Sequence, residues 1–223
     1  GLNYQSRDDT FTVEYGTDGM SLAITYMNAT QGWVPTIDEA VTDAPSKGNQ
    51  EGIFGFGTDG PGIYAVTNLV SNVGVISSDV TGVGTARYDL VACEYGGDKG
   101  IFAYGNTGSV SSLSNLVSNA GVVATDVTGV GTARKLLAAC SYSANKDKGI
   151  FGFGTSGSVT AATNLVSNTG VVATDVTGVG TARRSLAACE YGGDKGIFGF
   201  GYDGGQLSMT NLVSNVGVVA TDV

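Results

Sequence analysis

Alternating apolar and polar residues, separated by glycine-rich turns, set the pattern of this chain from its first residues. Residues 10–15 and 21–26 alternate with the two-residue period of a half-buried β-strand. Residues 16–19 between them read Gly-Thr-Asp-Gly, which is typical of a tight turn. The pattern predicts a β-hairpin, followed by a further short strand at residues 32–34.

From residue 51 onward the pattern is repeated four times. The aromatic residue that opens each copy is Phe54, Phe102, Phe151 or Phe198, at steps of 48, 49 and 47 residues. Each copy continues with an Asn-Leu-Val segment and a valine-containing segment that ends in Asp-Val. A regular period of this length indicates a repeat architecture.

The last copy divides into four apolar segments, at residues 183–191, 196–201, 211–215 and 218–223. They are rich in Val, Thr and Gly and lack helical periodicity, which favours strands over a helical repeat. A parallel β-helix coil is much shorter than this period, whereas four short strands in about 48 residues match a β-propeller blade. We therefore expect an all-β fold, with a propeller-like array of four-stranded blades at residues 51–223. A small β-hairpin module at residues 1–36 and a linker at residues 37–50 precede it.

The number of blades stays open at this point. Three copies begin with an Ala-Cys strand, marked by Cys93, Cys140 and Cys189, whereas the first copy has a polar segment at that place. Either four blades close a small ring, or the chain belongs to a larger propeller. We expect a piece of a longer array, because an open sheet edge favours aggregation.

Composition narrows the choice of partners. The chain has 223 residues, a net charge of −9 and no histidine. An acidic surface disfavours binding to nucleic acid or to an anionic membrane, and no apolar run is long enough to span a bilayer. The cysteines are odd in number and equivalent in position, so we expect small buried side chains rather than disulfides or metal ligands.

The N-terminal residues resemble a known viral module. Thr10-Phe11-Thr12-Val13, the apolar stretch that ends at Tyr26, and Gly32-Trp33-Val34 are similar to the final strands of a small β-module of tailed-bacteriophage fibres and other virion appendages. The resemblance covers about 35 residues and lacks the upstream half of the module. It implies a virion protein that assembles as a trimer.

The repeat resembles the kelch type of β-propeller. The matching pieces are the arginine at the start of the first predicted strand (Arg87, Arg134, Arg183), a Gly-Gly-Asp-Lys joint, and the Phe-Gly-Phe-Gly strand. A kelch blade has two adjacent glycines where this chain has Gly-Phe-Gly, and the Tyr and Trp of its fourth strand are missing here. We therefore describe the repeat as kelch-like, with a blade of the regulator-of-chromosome-condensation type as the alternative.

The sequence shows no catalytic set of residues. Without histidine, the usual general base and the Ser-His-Asp arrangement are both absent. A pair of carboxylates hydrolyses glycosides in depolymerases, but Asp79, Asp126, Asp175 and Asp222 recur once per repeat at a strand end, which indicates a turn or cap role. The Thr-Asp-Gly turns and the Gly-Gly-Asp-Lys joints lack the ligand density of a calcium loop. We predict no enzyme, no metal and no cofactor.

Candidate binding residues lie where the copies disagree, in the tips that follow each Phe-Gly-Phe-Gly strand. Loops that vary on a constant scaffold commonly carry binding. Tyrosine beside Asp or Asn suits sugar recognition, because the ring stacks and the polar groups form hydrogen bonds. The candidates are Asp59, Tyr64, Tyr104, Asn106, Tyr202 and Asp203.

Together the two resemblances imply a non-enzymatic virion protein, similar to a phage tail fibre or capsid fibre, that displays a propeller for host attachment. Its expected partners are further copies in a trimer, other virion proteins, and a glycan or protein of the host surface. Its expected location is the virion, outside the cell. The alternatives are a propeller-fold carbohydrate-active enzyme and a subunit of a structural filament or surface layer.

Overall fold

The structure, a computed structural model, describes residues 3–5, 10–12, 24–28, 32–35 and 50–223. These residues form fifteen β-strands in antiparallel sheets of two or three strands, without any helix. The predicted all-β class is therefore confirmed. The chain divides into two compact parts, Gly1–Lys47 and Gly48–Val223. We call the second part the repeat domain.

The N-terminal part contains two short antiparallel pairs of strands. β1 (Asn3–Gln5) pairs with β2 (Thr10–Thr12), and β3 (Ile24–Asn28) pairs with β4 (Gly32–Pro35). The strand predicted at residues 32–34 is thus confirmed.

Among the described residues β2 pairs with β1, and β3 pairs with β4. The inner arms of the hairpin predicted between β2 and β3, residues 13–15 and 21–23, lie outside the described residues, so that hairpin stays a prediction. Alternation identifies the two faces of a strand but not the strand beside it. Residues 16–19, the expected turn of that hairpin, and residues 37–49 of the expected linker lie outside the described residues.

The repeat domain consists of four successive sheets, one for each repeat. Repeat 1 (residues 50–84) has two strands, and repeats 2, 3 and 4 (residues 85–131, 132–180 and 181–223) have three strands in chain order. The strands are β5 (Gly52–Thr58) and β6 (Ile63–Val70); β7 (Val91–Tyr95), β8 (Lys99–Ala103) and β9 (Ser114–Val117); β10 (Ala138–Tyr142), β11 (Lys148–Gly152) and β12 (Thr163–Val166); β13 (Ala187–Tyr191), β14 (Lys195–Gly199) and β15 (Thr210–Val213).

The middle strands of repeats 2 and 3 have two apolar faces because each lies between two neighbouring sheets. In repeat 3, Phe151 packs against Tyr104 of repeat 2, whereas Ile150 belongs to the core shared with Phe198 of repeat 4. Successive residues of a strand point to opposite faces. The Ile side chain therefore packs against the following repeat, and the Phe side chain packs against the preceding one. Repeats 2, 3 and 4 therefore share their cores with their neighbours.

The predicted fourth strand of each repeat is not a continuous strand. In repeat 2 the segment touches β9 through isolated bridges at its two ends, Val117 to Val123 and Ser114 to Val127. Between these bridges the Asn115 side chain supplies a hydrogen bond in place of a backbone one, since its Nδ2 donates to the carbonyl of Ala124 at 3.0 Å. The blade predicted from sequence is thus a three-stranded sheet with a fourth segment held partly by a side chain.

The Phe-Gly-Phe-Gly strand also ends earlier than its sequence predicts. Its second aromatic residue adopts a left-handed backbone in every repeat, with φ of 64° at Phe56, 62° at Tyr104, 64° at Phe153 and 62° at Phe200. This conformation is unfavourable for a residue with a side chain. In repeats 2, 3 and 4 the strand ends before this residue, whereas in repeat 1 β5 continues to Thr58 with a shift of register between Gly55 and Gly57. In the first three repeats the ring turns towards the next repeat and meets a phenylalanine.

Successive sheets approach as closely as glycine permits. A Cβ added at Gly149 would lie 2.5 Å from the sulfur of Cys93 in the preceding repeat, and one at Gly196 would collide with the sulfur of Cys140. The prediction of a small buried cysteine is confirmed for Cys140, whose burial raises the pKa of its thiol to about 12. It is wrong for Cys189, which is exposed because no repeat covers it in this structure.

Candidate functional site

A buried arginine lies at the start of repeats 2, 3 and 4. Arg87, Arg134 and Arg183 are fully buried. In repeat 4, Arg183 Nη2 donates to Asn211 Oδ1 at 2.6 Å, and Nη1 donates to the carbonyl of Thr181 at 3.1 Å. Its Nε donates to the carbonyl of Phe200 at 2.7 Å, so the guanidinium is satisfied on several sides.

The carboxylate that ends each repeat closes the same network. Asp222 accepts hydrogen bonds from Thr181 N at 2.9 Å, Thr181 Oγ1 at 2.8 Å and Asn211 Nδ2 at 2.9 Å, and it lies 3.6 Å from Arg183. Asp126 and Asp175 have equivalent partners in repeats 2 and 3. These aspartates hold the end of a repeat to its beginning, which agrees with the predicted cap role.

Each of these arginines also contacts the preceding repeat. Its guanidinium carbon lies over the left-handed aromatic ring of that repeat, at 4.4 Å for Arg87 over Phe56, 4.5 Å for Arg134 over Tyr104 and 4.1 Å for Arg183 over Phe153. A desolvated cation over an aromatic face is a favourable contact. The recurring Arg, Asn and Asp therefore form the scaffold of the array.

Acid is expected to destabilise the repeat domain through these carboxylates. Partial burial alone would raise the pKa of Asp175, but hydrogen bonds from Thr132 and Asn164, together with Arg134, hold it below its usual value. The pKa values of Asp126 and Asp222 are lowered in the same way. A carboxylate whose folded-state pKa is lowered stabilises the fold above its unfolded pKa of about 3.9 and loses that contribution as the pH falls through this value and the folded-state pKa.

The free energy of unfolding, measured by urea titration between pH 7 and pH 3, should stay level at first and fall below about pH 4. Asp175→Asn should lower stability at pH 7 and make the fall below pH 4 shallower. An equally steep fall in this variant would show that Asp175 does not contribute to the loss of stability in acid.

The variable tips lie along one edge of the array, next to the residue that follows each buried arginine. Tyr88 pairs with Asn106, Lys135 with Thr155, and Arg184 with Tyr202, each through two backbone hydrogen bonds of 2.8 to 3.0 Å. We call this edge the tip ledge. It comprises Tyr88, Asp89, Lys135, Arg184 and the turns at residues 106–109, 155–158 and 202–205.

Cationic and aromatic side chains lie beside one another along the tip ledge. Lys135 Nζ lies 5.5 Å from the centre of the Tyr88 ring and 3.4 Å from a carboxylate oxygen of Asp89, both in the preceding repeat. Arg184 lies 5.3 Å from the centre of the Tyr202 ring. A groove between repeats 3 and 4 is lined by Lys135, Thr155, Ser158, Arg184, Tyr202 and Asp203. Such a surface offers ring faces, hydroxyls and charges of both signs to a ligand.

The candidate residues of repeat 1 lie together on its tip. Tyr64 donates its hydroxyl to Asp59 Oδ2 at 2.8 Å, and Asp59 Oδ1 accepts from Gly62 N at 2.8 Å. The hydrogen bond from Tyr64 lowers the pKa of Asp59 and raises that of the tyrosine. Both side chains are exposed, but the carboxylate is already used to shape the turn.

The candidates of repeat 2 need correction. Tyr104 is 0% exposed, because its left-handed backbone directs the ring into the junction between Arg134 and Phe151. Asn106 is buried as well, and its Oδ1 accepts from Gly108 N at 2.8 Å within the tip turn. Neither side chain is available to stack on a ligand.

The candidates of repeat 4 lie at the exposed end of the tip ledge. Tyr202 is exposed, and Asp203 Oδ1 accepts from Gly205 N at 3.1 Å. The prediction missed Tyr88, Asp89, Lys135 and Arg184, which line the same edge. Their signal is present in the sequence, because the copies diverge directly after each Thr-Ala-Arg.

The acidic turns use their oxygens within the protein. Asp98 and Asp194 of the Gly-Gly-Asp-Lys joints each accept a hydrogen bond of 2.6 Å from the lysine that follows, and their other oxygens accept from Asn119 and Asn215. The described residues contain no group of three or more Cys, Asp or Glu side chains that would hold a metal ion. They also contain no helix long and apolar enough to cross a membrane.

Comparison with known proteins adds no assignment. No model of a known protein family matches the chain. No curated protein matches it at a significant level.

Proposed function

We propose that this chain is a non-enzymatic virion appendage protein whose repeat domain binds the host surface through the tip ledge. One observation carries the proposal: repeats 2, 3 and 4 agree at the buried Arg and Asn and at the Asp that closes their network, and they differ along the half-buried and exposed positions of the ledge. Mutations have thus accumulated where side chains face outwards on an invariant frame. This is the distribution of a binding surface, and the resemblance to phage fibres supplies the biological setting.

A glycan of the host surface is the ligand that best suits the ledge. Tyr202 offers a partly exposed ring for stacking on a sugar, and Arg184, Asp203 and Ser158 offer donors and acceptors around it. Any single contact of this kind is weak. A trimer formed through the N-terminal module would display three ledges at once and gain affinity from valency.

The finer architecture that we propose is a kelch-like propeller array. Three-stranded sheets that share cores with their neighbours, with glycine at the contact, are compatible with blades packed face to face. The location on the virion, the trimer and contacts with other virion proteins belong to the same proposal.

Binding of the full chain to host cells, or to a panel of their surface glycans, tests the role of the ledge. Tyr202→Ala and Arg184→Ala should each weaken binding by roughly two- to tenfold, the equivalent of losing one stacking or cation contact of about 0.5–1.5 kcal/mol. Val216→Ala is a suitable control, because Val216 is exposed but lies outside the ledge. Equal affinity of all four proteins, or no binding to any host surface, would contradict the proposal.

The competing function, a carbohydrate-active enzyme, has one structural feature in its favour. Glu94 and Glu190 line the same groove along the first strands, and Lys146 lies 2.7 Å from Glu190. Burial, and then the charge of Glu190, raises the pKa of Glu94, as a general acid requires. We expect no release of reducing ends from host polysaccharide. Release that disappears in Glu94→Gln would replace our proposal with this one.

A further inference from the structure

Three residues of the tip ledge occupy equivalent places, directly after the buried arginines. Each pairs through two backbone hydrogen bonds with the first residue of the tip turn in its own repeat. The pairs are Tyr88 with Asn106, Lys135 with Thr155 and Arg184 with Tyr202. The backbone of the ledge is therefore the same in repeats 2, 3 and 4, whereas its chemistry changes from one repeat to the next.

The residue that follows each of these three connects neighbouring repeats, again with the same geometry. Leu136 N donates to the carbonyl of Asp89 at 3.1 Å, and Ser185 N donates to the carbonyl of Leu136 at 2.9 Å. Asp89, Leu136 and Ser185 all have a left-handed backbone, with φ of 54°, 56° and 54°. Lys135 and Arg184 thus have the same position relative to the preceding repeat.

Lys135 meets a carboxylate in the preceding repeat, whereas Arg184 does not. Lys135 Nζ lies 3.4 Å from a carboxylate oxygen of Asp89. The residue at the place of Asp89 before Arg184 is Leu136, which carries no charge. Within residues 50–223 Arg184 forms no ion pair and its guanidinium donates no hydrogen bond. Its contact with the Tyr202 ring therefore leaves the positive charge without a counter-charge.

This charge borders the groove between repeats 3 and 4. The groove lies at an internal junction of the repeat domain, with a tip turn on each side. One wall carries Lys135, Thr155 and Ser158, and the other carries Arg184, Tyr202 and Asp203. Both the missing carboxylate at Leu136 and the open groove are thus properties of the same internal junction.

The groove combines the groups that recognise an acidic sugar. The guanidinium carbon of Arg184 lies 5.3 Å from the centre of the Tyr202 ring, which is 39% exposed. Arginine binds a carboxylate or a sulfate through parallel hydrogen bonds, and an aromatic face beside it stacks on a sugar ring. Ser158 is exposed, and Asp203 Oδ2 accepts no hydrogen bond within the described residues. Both are placed to bond with sugar hydroxyls.

We propose that this groove binds an acidic saccharide, a sugar that carries a carboxylate or a sulfate, with Arg184 as the partner of its oxyanion. The proposal rests on the attachment function above and names the class of glycan that the ledge recognises. The ligand supplies to Arg184 the counter-charge that Asp89 supplies to Lys135. Because the chain has a net charge of −9, an anion gains little from the protein as a whole and binds through this local cation.

Matched saccharides with and without the charge test this specificity. The probes are oligomers of galacturonic acid beside the same oligomers after reduction of their carboxylates, and dextran sulfate beside dextran. The full chain should bind the acidic member of one pair about three- to tenfold more tightly than its neutral counterpart, as expected for an ion pair at a partly exposed site. The pair that shows the difference identifies the oxyanion as a carboxylate or a sulfate.

Binding to host cells separates failure of this inference from failure of the attachment function. Binding to host cells without a preference for the acidic member of either pair would overturn the inference and leave the attachment function in place. No binding to host cells would contradict the attachment function itself.

Leu136→Asp supplies the missing internal partner. It gives repeat 3 the residue that repeat 2 has at this place, and aspartate tolerates a left-handed backbone better than leucine does. The new carboxylate should pair with Arg184 and remove the preference for the acidic member. Leu136→Asn is the uncharged control and should keep the preference. The same outcome in both variants would overturn the proposal.

Two further variants test the cations of the groove directly. Arg184→Gln should lower the affinity for the acidic member to that of the neutral one, and a preference that survives would overturn the role of Arg184. Asp89→Leu releases Lys135, which lines the same groove, and should raise the affinity for the acidic member by about two- to fivefold. No gain in this variant would show that the groove does not bind the oxyanion.

Tyr202→Ala is the reference for a change that does not involve charge. Removing the ring should weaken binding of both members by the same factor, because stacking does not depend on the oxyanion. A loss confined to the acidic member would show that Tyr202 acts only by holding Arg184, and would contradict stacking on the sugar.

Discussion

Replacing Arg183 by alanine is expected to lower the free energy of unfolding of the repeat domain by about 3–5 kcal/mol. The change removes the cation over Phe153 and leaves Asn211, buried, and Asp222 without their guanidinium partner. Buried polar groups without partners keep their full desolvation cost, which is why truncating one member costs more than the contact itself is worth. Urea unfolding of the full chain, followed by circular dichroism, measures the loss.

The neighbouring Arg184→Ala is the matched control for this variant. Arg184 is the same residue type one position later, but it lies on the tip ledge over Tyr202 and is only half-buried. Its removal should change the free energy of unfolding by about 0.5 kcal/mol or less, as is usual for surface positions. Similar losses in both variants would mean that Arg183 does not hold the junction. In glycan binding the opposite is expected: Arg184→Ala should weaken binding, and Arg183→Ala should not.

Phe153→Ala should destabilise the repeat domain by about 3–5 kcal/mol, the range for truncating a buried phenylalanine. Phe153 is fully buried between Phe198 and Arg183 of the next repeat, so its loss leaves a cavity at the junction of repeats 3 and 4. Alanine also keeps the unfavourable left-handed backbone of this position without the packing that offsets it.

Phe200→Ala is the control for Phe153→Ala. The two phenylalanines have φ of 62° and 64° and follow the same local sequence, but Phe200 is 60% exposed. Unfolding in urea should give a loss of about 1 kcal/mol or less for Phe200→Ala. Equal losses would show that local conformation, rather than coverage by the next repeat, sets the importance of this ring.

Much of the fold was predictable because it is local. The two-residue alternation at residues 10–15 marks β2, the recurring Ile-Phe pair marks β8, β11 and β14, and the recurrence of Asn and Asp marks the cap. The partner of β2 was not predictable, since alternation does not specify a neighbour. The end of this strand before Tyr104 and Phe153 was also missed, because burial against the next repeat overrides the backbone preference of an aromatic residue.

The candidate site was predictable only in part. Divergence among the copies directs attention to the tips, and Tyr202 and Asp203 are exposed there. Tyr104 looked equivalent in type to Tyr202, but it occupies the position of Phe153, and the junctions on both sides of repeat 3 bury this position. Lys135 and Arg184 join the same edge only through backbone pairing with tips about 20 residues away in sequence.

The sequence by itself determined that this protein is an all-β chain of four similar repeats with invariant and variable positions. Only the tertiary structure decided which of those positions are covered. A repeated residue has the same local environment in every copy, but its burial depends on whether another repeat lies against it. Phe153 and Phe200 differ in this respect alone, and so do Cys140 and Cys189.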